Sequence, residues 1–142
     1  TLFLLKKNAD AGNIIDQLKI KITKNETATS LYKKIVILHK KIIRKNITKI
    51  KNNNFKEKKQ HISKGSYWQK RNPEDGEIFQ SFTTEKAYRY IRALTHPYPG
   101  AFIRLGSNKL IIWNAAISNN RPKRDYIKMK DGYIILKEIS IC

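Results

Sequence analysis

The sequence predicts an α+β fold, with two strands and one long helix first, then a short helix and a mostly antiparallel β region. Three observations carry this prediction. Residues 26–51 hold an apolar seam at helical spacing, and residues 84–94 hold a second, shorter one. From Ala101 onward the pattern changes to apolar runs of strand length separated by Gly, Asn and Asp turns. Four such strands after a helix fit a small open barrel or a reduced version of one.

Taken in order, residues 1–5 (Thr-Leu-Phe-Leu-Leu) read as a buried strand, too short and too uniformly apolar for a helix. Residues 6–12 form a turn with Gly12 as its joint, and residues 14–22 resume an extended pattern in which Leu18, Ile20 and Ile22 alternate with lysines. Asp10 therefore sits in a turn at the end of a strand pair. By itself an Asp in a turn is a turn former.

The long helix is capped by Asn25 or Thr27, and Leu31, Ile35, Leu38 and Ile42 make its buried seam. Residues 51–64, with Asn-Asn-Asn followed by mixed charge, have no sustained periodicity and read as a linker. Asn72-Pro73-Glu74-Asp75-Gly76 is a turn, because Pro73 fixes φ and Gly76 tolerates positive φ. Thr83 or Thr84 caps the second helix, with Ala87, Tyr90, Ile91 and Leu94 as its buried stripe. His96-Pro97 and Tyr98-Pro99-Gly100 end that helix and turn the chain into a strand from Ala101 to Leu105. Gly106-Ser107-Asn108 and Asp131-Gly132 are the turns of two hairpins, 101–117 and 126–141.

The chain has 142 residues and a formal charge of +19, from 30 basic against 11 acidic residues. Such a charge invites a nucleic-acid reading. Here the basic residues are spread over helices and loops together with inflated Lys, Asn and Ile, so solvated surface charge accounts for them better. No apolar run is long enough to span a bilayer, and Cys142 is the single cysteine, which fits a reducing compartment such as the cytoplasm. No Cys/His cluster has metal-ligand spacing, so no metal is expected. Tyr67 and Trp68 beside Lys70 and Arg71 form an aromatic-plus-cation group that can stack a base and grip a diphosphate. The competing reading packs Trp68 on a domain interface while the cations extend to water.

The ordered wording of the chain resembles the formyltransferase family. Its members carry a Pro-Glu-Asp-Gly turn, an Ile-Arg-Ala-Leu helix end and a Pro-Tyr-Pro-Gly-Ala-Phe corner, found here at 73–76, 91–94 and 97–102. Thr1-Leu2, Asp10-Ala11-Gly12, Ile14-Ile15 and Gln17 match the same family near the start, and Gln60 fits a position just before its second domain. The resemblance implies that residues 1–51 are the C-terminal portion of a Rossmann-like catalytic domain, 52–66 a linker, and 67–142 a C-terminal domain that is OB-like in its fuller versions. It also implies a fragment of a longer chain.

By the same resemblance Asp10 is the catalytic carboxylate, and the co-substrate is 10-formyltetrahydrofolate, bound mainly by a region before Thr1. The family's catalytic Asn and His fall in that region too, and His39, His61 and His96 do not replace the histidine. The chain by itself is therefore expected to be inactive. Arg71, with Lys70 and Trp68, is the expected substrate-binding group, because basic residues just before the Pro-Glu-Asp turn lie near substrate in sugar-nucleotide members. A homodimer through the C-terminal region is a further expectation.

Two acceptors divide the family. The Thr-His-Pro-Tyr-Pro-Gly-Ala-Phe corner and the short tail resemble the type acting on a nucleotide-linked amino sugar (UDP- or dTDP-linked), in lipopolysaccharide or other surface-polysaccharide synthesis. The charge favours the alternative, methionyl-tRNA formyltransferase, since phosphate contacts dominate tRNA affinity. The sugar reading leads. A third reading, a small barrel binding single-stranded nucleic acid without catalysis, needs exposed aromatics flanked by cations, and Phe102 and Trp113 sit in contexts that suggest one or both face the core.

Overall fold

Thr27 starts the long helix in the way its residue type dictates. Its hydroxyl accepts the amide of Ser30 at 3.2 Å and its own amide donates to Ser30 Oγ at 3.0 Å, so two amides that would lack helical partners are satisfied reciprocally. The structure, a computed structural model, describes residues 1–61 and 65–142; residues 62–64 of the expected linker lie outside the described residues. Its elements in order are β1 (Leu2–Phe3), β2 (Ile14–Asp16), α1 (Ala28–Lys51), a 3-10 turn (Pro73–Gly76), α2 (Thr84–Leu94), β3 (Ala101–Leu105), β4 (Asn108–Ser118), β5 (Tyr126–Met129) and β6 (Gly132–Ile141). The chain is α+β, as the sequence predicts.

Contacts group the chain into two units, one of Thr1–Ile22 with Tyr32–Gln69, the other of Thr23–Leu31 with Lys70–Cys142. In the first unit, β1 and β2 pair antiparallel and are shorter than expected. At the end of β2 the Asp16 carboxylate accepts the next amide, Gln17 N, at 2.8 Å, a local bond that competes with continued strand. Among the described residues Leu18, Ile20 and Ile22 run on without a ladder. Residues in the expected linker add to the ribbon instead: Ile14 and Lys58 exchange backbone hydrogen bonds, each 2.8 Å. The seam Leu31, Ile35, Leu38 is half-buried and Ile42 fully buried, matching the predicted face of α1. The helix ends in a left-handed turn at Asn53 (φ 50), where Asn54 N donates to Lys49 O at 2.8 Å and Asn53 N to Ile50 O at 3.0 Å.

In the second unit α2 lies against a four-stranded antiparallel sheet of order β3-β4-β6-β5. Thr83 caps α2 by accepting Lys86 N at 3.2 Å, and Asp131 Oδ1 accepts Thr84 N at 2.7 Å. That second bond explains a one-residue difference from expectation. Gly132 pairs with Met129 as the first residue of β6, so the hairpin loop is Lys130-Asp131, and Asp131 is turned to the helix end. The bond from Thr84 N holds the Asp131 carboxyl below its usual range. Ala87 and Ile91 from α2 meet Ile78, Ala101, Ile112, Ala115, Ile127, Met129 and Ile134, with Tyr90 and Leu94 packed at the margin. A bulge at Ile112–Ala115 bends β4, and β3 and β5 stay as separate edges, so the sheet is a reduced, open version of a barrel.

Candidate functional site

The two turn-rich clusters that bracket α2 in the sequence meet in space. Gly76 lies so close to the Pro-Tyr-Pro-Gly corner that a Cβ there would come within 3.0 Å of Gly100 O and 3.2 Å of Leu94 Cδ1. Gly100 has φ +91, and a Cβ on it would reach 2.3 Å from Ile111 Cγ2 and 3.0 Å from Trp113. Glycine is thus required at Gly100, and Gly76 leaves little room for a larger residue. Between the turn, the end of α2 and the corner opens a cleft of about 470 Å³, walled by Pro73, Ala93, Leu94, Tyr98 and Pro99, with Arg71, Asn72 and Asp75 as its polar groups. An apolar recess with a few fixed polar groups is the usual form of a small-molecule site.

Polar contacts hold both walls. Asn72 N donates to Asp75 Oδ2 at 2.7 Å and Asp75 N to Asn72 O at 3.0 Å, closing the turn on itself. Behind it, Arg104 reaches Glu74 at 2.9 Å and Glu77 at 3.1 Å, and Lys109 also pairs with Glu74. The Lys109 bond, followed by Arg104, lowers the Glu74 carboxyl, while Glu77 then Glu74 raise the Arg104 guanidinium. Outside the cleft lining, His96 stacks on Trp113 with ring centroids 4.0 Å apart and planes 10° off parallel, and Thr29 Oγ1 donates to His96 O. Phe102 is buried, in line with a core role, and Trp113 is half-buried with Nε1 donating to Ser140 Oγ at 3.0 Å.

Of the residues singled out from sequence, Arg71 lines this cleft, and Lys70 is its exposed neighbour. Trp68 belongs to the first unit and, among the described residues, is 89% exposed, as is Tyr67.

Asp10 is in the first unit, in the left-handed region at φ 55, with its carboxylate exposed. Gln60 fixes this loop, donating from Nε2 to Asp10 O at 2.9 Å and also to Gly12 O. Gly12 is packed so tightly that a Cβ would overlap Leu4 O at 1.5 Å. The loop's backbone is therefore held from both sides while the Asp10 side chain stays available.

The sequence reading missed one polar cluster. Asp16 accepts Asn46 Nδ2 at 2.7 Å and pairs with Lys45 at 2.9 Å, and these bonds, Asn46 first, lower its carboxyl from 3.8 to about 2. The signal was available, since Asn46 stands four residues beyond Ile42 on the apolar seam and is 4% exposed. Among the described residues no group of His, Cys, Asp and Glu side chains is arranged to hold a metal ion.

Comparison with known proteins settles the family. Residues 70–140 match the family described as "Formyl transferase, C-terminal domain". The chain is 40% identical over 118 residues to the bifunctional polymyxin resistance protein ArnA of Wigglesworthia glossinidia brevipalpis. The chain belongs to the formyltransferase family.

That stretch is 83% of this chain but 18% of the relative's length. Solved formyltransferases agree in fold. A methionyl-tRNA formyltransferase from Clostridium thermocellum superposes with TM-score 0.68 at 27% identity, over 99% of this chain and 54% of the other. An N-formyltransferase from Helicobacter canadensis, solved with folinic acid and dTDP-3-aminofucose, gives TM-score 0.70 at 23% identity, over 97% and 54%. The chain thus spans about half the length of these formyltransferase structures.

Proposed function

We propose that this chain is the C-terminal part of a formyltransferase that moves a formyl group from 10-formyltetrahydrofolate to the amine of a nucleotide-linked amino sugar. The observation that carries this reading is the 40% identity with the polymyxin resistance protein, against 27% with the methionyl-tRNA formyltransferase structure. The cleft supports it. Arg71 at the edge of an apolar recess suits a diphosphate, because a planar guanidinium binds phosphate oxygens bidentately, and Lys70 adds a mobile point charge. Trp68, exposed, offers a face for stacking.

10-Formyltetrahydrofolate, when bound, supplies the formyl carbon that the acceptor amine attacks. Within this chain Asp10 is the residue assigned to that chemistry. Its carboxylate would orient a neighbouring base and raise that base's pKa, so that the base takes the proton the amine loses as the new C–N bond forms and a proton is returned to the folate N10 as its bond to the formyl carbon breaks. The loop fixed by Gln60 and Gly12 places Asp10 without using its side chain for structure. The base and the oxyanion-stabilising Asn are assigned by family resemblance to a region outside this chain, and we infer that turnover needs that region.

The second reading, methionyl-tRNA as acceptor, is favoured by the +19 charge and by the match of 99% of this chain to 54% of the tRNA enzyme's structure. Formyl transfer by the parent protein, measured as kcat/KM for UDP-aminoarabinose, a dTDP-linked amino sugar and initiator Met-tRNA, separates them. A preference for either sugar nucleotide supports the proposal, whereas transfer to Met-tRNA alone overturns it.

A further inference from the structure

The C-terminal end of α1 forms another recess, of about 400 Å³, which shares no lining residue with the cleft and does not include Asp10. Asp16, Lys45, Asn46, Lys49, Phe55 and Lys56 supply its chemistry. Local geometry explains why they converge. Lys45 and Lys49 are four apart and share one face of the helix. The left-handed turn at Asn53 reverses the chain, and the Ile14–Lys58 pairing lays the following segment beside β2. Two residues back from Lys58 and two on from Ile14, Lys56 and Asp16 reach the same side of the ribbon.

The charges in this recess do not cancel. Asp16 is fixed by Asn46, Lys45 and the Gln17 amide, so it positions the Lys45 ammonium at 2.9 Å. An ammonium has three donors, and this bond takes one. Lys49 and Lys56 form no ion pair among the described residues. The lysines are not needed to cap the helix either, because the carbonyls of Thr48, Lys49 and Ile50 already accept the amides of Asn52, Asn54 and Asn53. Three lysines and one carboxylate line the recess, beside a half-buried phenyl ring. The excess of two positive charges matches a phosphate dianion, and the volume is larger than a bare phosphate requires.

We propose that this recess binds a small phosphate-bearing molecule of nucleotide size, with Lys45, Lys49 and Lys56 on the phosphate and Phe55 against the organic part. The test is a calorimetric and NMR titration of this chain with AMP and, separately, with inorganic phosphate, at physiological salt. AMP is expected to bind saturably at one site, moving the amides of Ile15, Asn46 and Phe55. Lys49→Gln combined with Lys56→Gln is expected to weaken it about tenfold or more. Both lysines are exposed, so an unchanged melting temperature will show that the variant folds.

Phe55→Leu keeps an apolar side chain and is expected to weaken AMP while leaving inorganic phosphate unchanged. Three results overturn the proposal: binding that does not saturate, affinity unchanged in the double variant, or shifts scattered over lysines across the surface. Equal loss of AMP and phosphate in Phe55→Leu would also do so, by showing that the ring acts on the fold and not on the ligand.

Discussion

The two units are held together by different forces. Among the described residues, every buried apolar side chain except Ile42 lies in the second unit, where α2 and the sheet enclose a continuous core. The first unit relies on polar brackets at particular points: Asp16 between Asn46 and Lys45, Gln60 across the Asp10 loop, and the Ile14–Lys58 pair. Apolar burial is cooperative and tolerant of surface change, whereas single hydrogen bonds contribute about 0.5–1.5 kcal/mol each and depend on their partners. The residue assigned to catalysis sits in the bracketed unit, on a loop fixed through its backbone, and the cleft is built on the packed unit.

The largest expected effect on this contrast comes from the core. Ile112 is fully buried, so Ile112→Ala should cost about 2–5 kcal/mol, read as a lower denaturation midpoint with loss of Trp113 near-ultraviolet signal. A shift of only a few tenths would mean that the core does not carry the second unit. In the first unit, Gly12→Ala puts a methyl against Leu4 O and should cost about 1–3 kcal/mol by forcing the backbone to move. Amide shifts confined to residues 2–14 and Gln60 are the expected NMR signature; an unperturbed loop would refute the packing argument.

Capping gives a smaller effect. Thr83→Ala removes the acceptor of Lys86 N and should cost about 1 kcal/mol in thermal unfolding, while Asp131 keeps Thr84 N satisfied. Retained stability in Thr83→Ala combined with Asp131→Ala would show that this helix end needs no cap.

The smallest effect concerns pH. The Asp16 carboxyl is lowered from 3.8 to about 2 in the folded chain, so its contribution is present above pH 3.8 and fades as pH falls toward 2. With its site open to water, that contribution is about 1 kcal/mol or less. Asp16→Asn should therefore lower the melting temperature at neutral pH, and its difference from the parent chain should vanish near pH 2. A difference that persists at pH 2 would assign Asp16 a packing role.

What the sequence revealed follows the same division. The packed unit was legible because its signals are local and repeated: the Ala87–Leu94 stripe, Thr83 before it, and two turns that set two hairpins. Even there each loop differed by one residue: Asn108 pairs with Leu105 and opens β4, and Asp131 serves a helix far away in sequence. The bracketed unit was less legible. The alternating run from Leu18 to Ile22 looks like strand but finds no partner among the described residues, and the linker gains one at Lys58. Asp10 could be named only from the family's ordered motifs, because an Asp in a turn has no distinctive pattern of its own, whereas Arg71 stood out beside Tyr67, Trp68 and Lys70 and gained weight from those motifs.

The most direct test of the functional account is formyl transfer from 10-formyltetrahydrofolate by the parent protein carrying this chain, compared with its Asp10→Asn variant at saturating amino-sugar nucleotide. A fall in kcat of about 10²–10⁴-fold with an unchanged melting temperature is the result expected of a carboxylate that orients the base. Near-parental turnover in a folded variant would remove Asp10 from the reaction and contradict the account.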